Sequence, residues 1–131
     1  MRNRAAVIIS ENNRLALIKR MRKGQTYYVF PGGGIEADET PAEAAKREAM
    51  EELGLEVEIG ECIFKLSGTA EESYFLAAAT GGKFGTGTGL EFTEPESERG
   101  SYEAVWIARD KLTTIKLYPE ELAAKLSQNL K

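Results

Sequence analysis

Residues 40–54 constrain the fold more than any other stretch, because they specify a single helix with both ends marked. Thr40 is placed to act as the N-cap, Pro41 suits the first helical position, and Glu43 completes a Thr-x-x-Glu capping box. Gly54 closes the segment as the residue that enters the left-handed conformation most easily, and apolar Leu55 follows it. Between these signals Ala45, Ala49 and Leu53 recur every fourth residue. A stripe of small side chains lets a helix lie close against a sheet, so the rest of the chain must supply that sheet.

The flanking runs do so. Residues 5–10 hold the β-branched Val7, Ile8 and Ile9 and end at the turn-forming Glu11-Asn12-Asn13, and residues 14–20 alternate, with Leu15 and Leu17 on one face and Ala16 and Ile18 on the other. The two make a hairpin. Residues 26–30 form a third strand that stops at Pro31, and Gly32-Gly33-Gly34 then reads as a loop. After the helix, residues 55–66 and 73–80 read as strands, the first with period-two alternation at Leu55, Val57 and Ile59. Between residues 80 and 100 the composition turns to Gly, Thr and Glu, which reads as a long mobile connection or lid. Strand character returns over 102–108, and residues 119–130 place Leu122, Ala123, Leu126 and Leu130 at helical spacing. The expected class is α/β (α+β), with one domain over residues 1–131.

Composition narrows the chemistry. The chain has no histidine, which removes Ser/His/Asp and Cys/His nucleophile pairs, histidine phosphate transfer and the common zinc sites. Acid–base and metal chemistry must rest on carboxylates, lysines, tyrosines or backbone. A net charge of -4 argues against a broad polymeric nucleic-acid or anionic-membrane footprint. The lone Cys62 fits a reducing, cytoplasmic setting. No stretch approaches the ~18 apolar residues of a membrane span, and the short apolar run after Arg4 reads as a strand rather than a signal sequence.

On the helix, Glu48, Glu51 and Glu52 lie at i, i+3 and i+4, within an arc of about 100°. Like charges at these spacings repel, by roughly 0.2 to 0.5 kcal/mol per pair. They also sit near the helix C-terminus, where the dipole disfavours anions. A hard divalent cation would offset both effects.

The wider spacing gives this cluster a context. From Gly33 there are five residues before Glu39 and seven more before Arg47-Glu48, then Ala49-Met50-Glu51-Glu52-Leu53-Gly54-Leu55. This resembles the Nudix box, G-x5-E-x7-R-E-U-x-E-E-x-G-U with U a bulky aliphatic. Ala49 is smaller than the usual first U, which touches helix packing and leaves the carboxylates unaffected.

The resemblance to Nudix (MutT-like) hydrolases implies a mixed β-sheet sandwiched between helices, and a Mg²⁺-dependent hydrolase, with Mn²⁺ as an alternative ion. Such an enzyme cleaves the diphosphate linkage of a nucleoside diphosphate joined to a group X. By resemblance, Glu51 and Glu52 are principal metal ligands, Glu48 a further ligand or general base, and Gly33 a carbonyl ligand. Arg47 and Glu39 hold the carboxylates in place.

Family members often add a loop carboxylate before the last strands. Glu91, Glu94, Glu96, Glu98 and Glu103 are available, and Glu98 is best placed. Arg20, Gly32 and Gly34 are candidates for substrate contact. Tyr28, Phe30, Phe75, Phe84 and Phe92 are candidates for stacking on a base or for the core.

The resemblance leaves X open among a modified nucleoside triphosphate, ADP-ribose or a nucleotide sugar, and a dinucleoside polyphosphate. A non-catalytic nucleotide-sensing module is the competing class, and exposed edge strands leave a homodimer open. Gly82-Lys83 is no Walker A, since Ala77 stands where the first glycine is needed, and Gly85-Thr86-Gly87-Thr88-Gly89 lacks the strand and helix of a dinucleotide motif.

Overall fold

A computed structural model describes residues 2–87 and 100–128. The described chain forms two compact units, one from residues up to 9 and 31–87, the other from 10–30 and 100–128.

The first unit is a mixed sheet with a helix on it. Strand β1 (Arg4–Glu11) lies parallel to β6 (Glu71–Gly82), which pairs antiparallel with β5 (Leu55–Ser67). On its other side β1 pairs antiparallel with the short β4 (Gly32–Gly34), matching Arg4 with Gly34, Ala5 with Gly33 and Ala6 with Gly32. The triple glycine is therefore a strand and not the loop its composition suggested. Bare Cα atoms suit it to a place where backbone must approach closely. Ala5 to Ile9 are all buried, as expected of a strand covered on both faces.

Helix α1 (Pro41–Leu53) packs on β4, β5 and β6. The Thr40 hydroxyl accepts from the Glu43 N–H while the Glu43 carboxylate accepts from the Thr40 N–H, so the capping box forms in full. Ala44, Ala45, Ala49 and Leu53 are fully buried beneath it. Gly54 ends the helix at φ 79°, ψ 17°, its N–H turned back to the Ala49 and Met50 carbonyls.

In the second unit β2 (Arg14–Arg22) is central. It pairs antiparallel with β7 (Ser101–Ala108) over Arg14–Met21 and with β3 (Gln25–Val29) over Ile18–Arg22. Two tight turns set its length. Asn12 and Asn13 both take positive φ between β1 and β2, and Lys23 and Gly24 do the same between β2 and β3. Paired positive φ angles match the strand twist of two-residue hairpins. The strand read over residues 14–20 extends two residues further, to Arg22.

A 3-10 turn over Arg109–Thr114 and the two-residue β8 (Leu117–Tyr118), parallel to β3, precede helix α2 (Glu120–Gln128). Neither short element has a sequence signal. Leu122, Ala123 and Leu126 bury the inner face of α2, and Arg109 Nη2 donates to the Leu126 carbonyl near its end. Among the described residues no helix is long and apolar enough to cross a membrane. The class is the mixed α+β type expected.

The left-handed cap gives the first test. A Cβ on Gly54 would strain the backbone and lie 2.7 Å from the Lys83 carbonyl oxygen. Gly54→Ala is expected to cost about 1 kcal/mol or more, read from urea midpoints. An unchanged midpoint would show that the cap does not hold the helix end.

Candidate active site

The geometry of the site starts from Arg47, at the middle of α1. Its Nε donates to Glu39 Oε2 at 2.6 Å and its Nη2 to Glu39 Oε1 at 2.9 Å, a two-pronged grip. Nη2 also donates to the Gly34 carbonyl at 3.0 Å. Nη1 turns the other way, to Glu48 Oε2 at 3.0 Å and to the Glu51 oxygens at 3.3 and 3.4 Å. One guanidinium thus joins the loop before the helix, the end of β4 and two carboxylates of the helix face.

Charge follows from these contacts. Glu39 accepts from Arg47 and from the Glu36 N–H at 3.0 Å, and its carboxyl is held down from 4.5 to about 2. Arg47 is pushed up in turn, chiefly by the Glu39 hydrogen bonds. Glu48 behaves in the opposite way. It is buried on the inner side of the helix, and desolvation, followed by repulsion from Glu51, raises its pKa despite Arg47.

Gly33 explains how Glu48 fits. A Cβ at Gly33 would overlap the Glu48 carboxylate, so the bare Cα makes the space that side chain occupies. Glu52 Oε1 accepts from the Gly32 N–H at 3.1 Å, fixing the third helix carboxylate against the same strand. The Gly32 amide and the Gly34 carbonyl, candidates for substrate contact, are engaged here by Glu52 and Arg47.

The structure therefore brings together Gly32, Gly33, Gly34, Glu39, Arg47, Glu48, Glu51 and Glu52. Arg20 stands in the second unit. Its guanidinium lies 3.9 Å over the Tyr102 ring and 5.5 Å from the Tyr27 ring centre, both cross-strand partners of Arg20. Glu91, Glu94, Glu96, Glu98 and Phe92 lie outside the described residues. Glu103 pairs across the strands with Lys19, and Phe30 is buried in the core.

Two residues had no sequence signal. The Arg2 guanidinium covers Gly34 and favours the charged form of Glu39, and Glu36 adds a 4.0 Å ion pair to Arg47. Only the folded pairing of β1 with β4 brings Arg2 here.

The donors are hard oxygens, which suit Mg²⁺ or Mn²⁺ rather than a softer metal. The buried Glu48 carboxylate, packed against the bare Cα of Gly33 and repelled by the half-exposed Glu51, fits a divalent cation. Among the described residues no three such side chains already converge on one point. Arg47 Nη1 holds Glu48 and Glu51 together, while the Gly32 amide holds Glu52.

A family model described as the NUDIX domain matches residues 1–127. The chain belongs to the Nudix family. It is 48% identical over 61 residues to an RNA pyrophosphohydrolase of Marinomonas sp. (strain MWYL1), a match covering 47% of this chain and 38% of that protein. It is 38% identical over 55 residues to an 8-oxo-dGTP diphosphatase of Proteus vulgaris, covering 40% of this chain and 49% of that protein. These matches thus span less than half of either relative's length. A Nudix-family hydrolase from Clostridium perfringens superposes with a TM-score of 0.70 at 20% identity, over 100% of this chain and 99% of that one. That likeness establishes the Nudix fold, a mixed sheet with helices.

The Glu39 shift predicts a pH dependence with a definite sign. A carboxyl lowered from 4.5 to about 2 adds stability that is fully present above 4.5 and is lost as pH falls through about 2. Glu39→Gln should therefore melt lower than the parent at pH 7, and the difference should narrow as the pH falls from 4.5 toward 2. A difference that stays constant across that range in thermal melts would contradict the Arg47–Glu39 assignment.

Proposed function

We propose that this chain is a divalent-metal-dependent hydrolase that cleaves the diphosphate linkage of a nucleoside diphosphate joined to a group X. The carrying observation is the arrangement of Glu39, Glu48 and Glu51 around Arg47, with Glu52 anchored beside them on Gly32. The names of the matched relatives, a pyrophosphohydrolase and a diphosphatase, support the same bond class. The lone Cys62 keeps a cytoplasmic setting as part of the proposal.

Glu48, Glu51 and Glu52, with the Gly33 carbonyl, would hold Mg²⁺ or Mn²⁺. When bound, such an ion neutralises the diphosphate and lowers the pKa of water. The chain's own groups do the rest. Arg47 fixes Glu48 Oε2 and so the rotamer of that side chain. Where Glu48 serves as base rather than as ligand, its carboxylate takes the proton as water attacks phosphorus in line with the departing phosphate. Burial, followed by repulsion from Glu51, raises the Glu48 pKa. The departing phosphate needs no imidazole acid, which agrees with a chain that has no histidine.

The leading substrate candidate is a nucleoside triphosphate, ordinary or modified, in which X is phosphate; the name of the matched 8-oxo-dGTP diphosphatase supports it. The test is a panel with Mg²⁺ and then Mn²⁺: ordinary and 8-oxo nucleoside triphosphates, ADP-ribose, nucleotide sugars, dinucleoside polyphosphates and an RNA. Cleavage of at least one small nucleotide at its diphosphate linkage is expected, releasing phosphate or pyrophosphate from a triphosphate and a nucleoside monophosphate with a second phosphomonoester from ADP-ribose or a nucleotide sugar. Tight binding of one member with no turnover of any would instead support a sensing module. On a cleaved substrate, Glu52→Gln should lower kcat by ~10² or more. Retention of more than about a tenth of kcat would overturn the ligand assignment.

A further inference from the structure

The glycine-rich run after β6 fits no phosphate-binding pattern, yet its described part lies on the C-terminal end of α1. The Lys83 N–H donates to the Gly54 carbonyl at 3.0 Å and the Gly85 N–H to the Leu53 carbonyl at 2.9 Å. Thr86 Oγ donates to the Lys83 carbonyl at 2.6 Å, folding the run back on itself, and its hydroxyl fills the space beside Gly54. Gly87 then rests on the last helical turn. A Cβ there would stand 2.5 Å from the Glu51 carbonyl oxygen and 2.6 Å from that of Glu52. Those atoms are backbone and cannot swing aside as a side-chain tip would.

A helix ends with several carbonyls lacking partners within it, and α1 has no basic residue in its last turn. Backbone amides of residues 83 and 85 meet that end instead. The turn they hold carries Glu51 and Glu52, two of the three carboxylates proposed as ligands.

We propose that Gly87, together with the Lys83 and Gly85 amides, is a positioning element that sets where the Glu51 and Glu52 carboxylates stand, and hence the divalent-cation affinity of the site. The proposal rests on the ligand reading given above. Any side chain at position 87 displaces either the run or the last turn of α1, and either movement loosens the hydrogen bonds to Leu53 and Gly54. Mg²⁺ tolerates little departure from octahedral ligands at about 2.0 to 2.1 Å, so a small backbone shift under two ligands weakens it.

Gly87→Ala, confirmed as folded by circular dichroism, should bind Mn²⁺ about tenfold more weakly in calorimetry. KM for a cleaved nucleotide at saturating metal should stay at the parent value. Gly68→Ala, where a Cβ meets nothing within 4 Å, should bind Mn²⁺ as the parent does. A Gly87→Ala protein that melts lower yet binds Mn²⁺ as tightly as the parent would overturn the proposal.

Should that variant not fold, the parent supplies the readout. Saturating Mg²⁺ should slow exchange of the Gly85 amide hydrogen at least ~10-fold, since ligation by Glu51 and Glu52 and closure of this cap stabilise each other. Unaltered exchange would overturn the coupling. Failure of the ligand reading shows separately, as Glu52→Gln binding Mn²⁺ as tightly as the parent, and it would remove the basis of this proposal as well.

Discussion

The first unit of this protein depends on how one guanidinium distributes its hydrogen bonds. Arg47 satisfies Glu39 with two of its nitrogens, reaches the Gly34 carbonyl with one of the same pair, and holds Glu48 and Glu51 with the third. Carboxylates three and four residues apart on a helix repel one another, and a buried one also loses its hydration. The arrangement persists because a cation with five N–H donors in a fixed plane sits among them. A lysine would supply the charge but not the fork.

Several otherwise separate features follow from that demand. Gly33 is bare because the Glu48 carboxylate fills the space of its Cβ. The helix must start and stop where it does, so that Arg47 faces both the preceding loop and the helix acids. The Thr40 capping box fixes the first turn and Gly54 the last. The alanines on the buried face then let α1 lie close enough to the sheet for Glu52 to reach the Gly32 amide. The second unit is built on different physics, with a central strand set by two hairpin turns and an arginine lying over tyrosine rings.

Much of this was legible in the sequence where the signal is local. The caps of α1, its alanine stripe and the first hairpin are written within a few residues, and the structure places them as read. The Glu39, Arg47, Glu48, Glu51 and Glu52 constellation was legible because its spacing is fixed along one stretch of chain. The triple glycine was misread because glycine composition says loop, whereas pairing with β1 is a long-range event. The 3-10 turn and β8 are too short to carry a period. Arg2 and Gly87 are near the helix acids only through sheet pairing and a returning loop, which no spacing rule encodes.

We propose that Arg47 arranges the helix carboxylates into a divalent-cation site. The most direct measurement is Mn²⁺ affinity by calorimetry for the parent and for Arg47→Lys, which keeps the charge and loses the fork. Binding in the variant is expected to be about 10- to 100-fold weaker, the usual effect of removing a group that orients metal ligands. Equal affinity in the two proteins would contradict it.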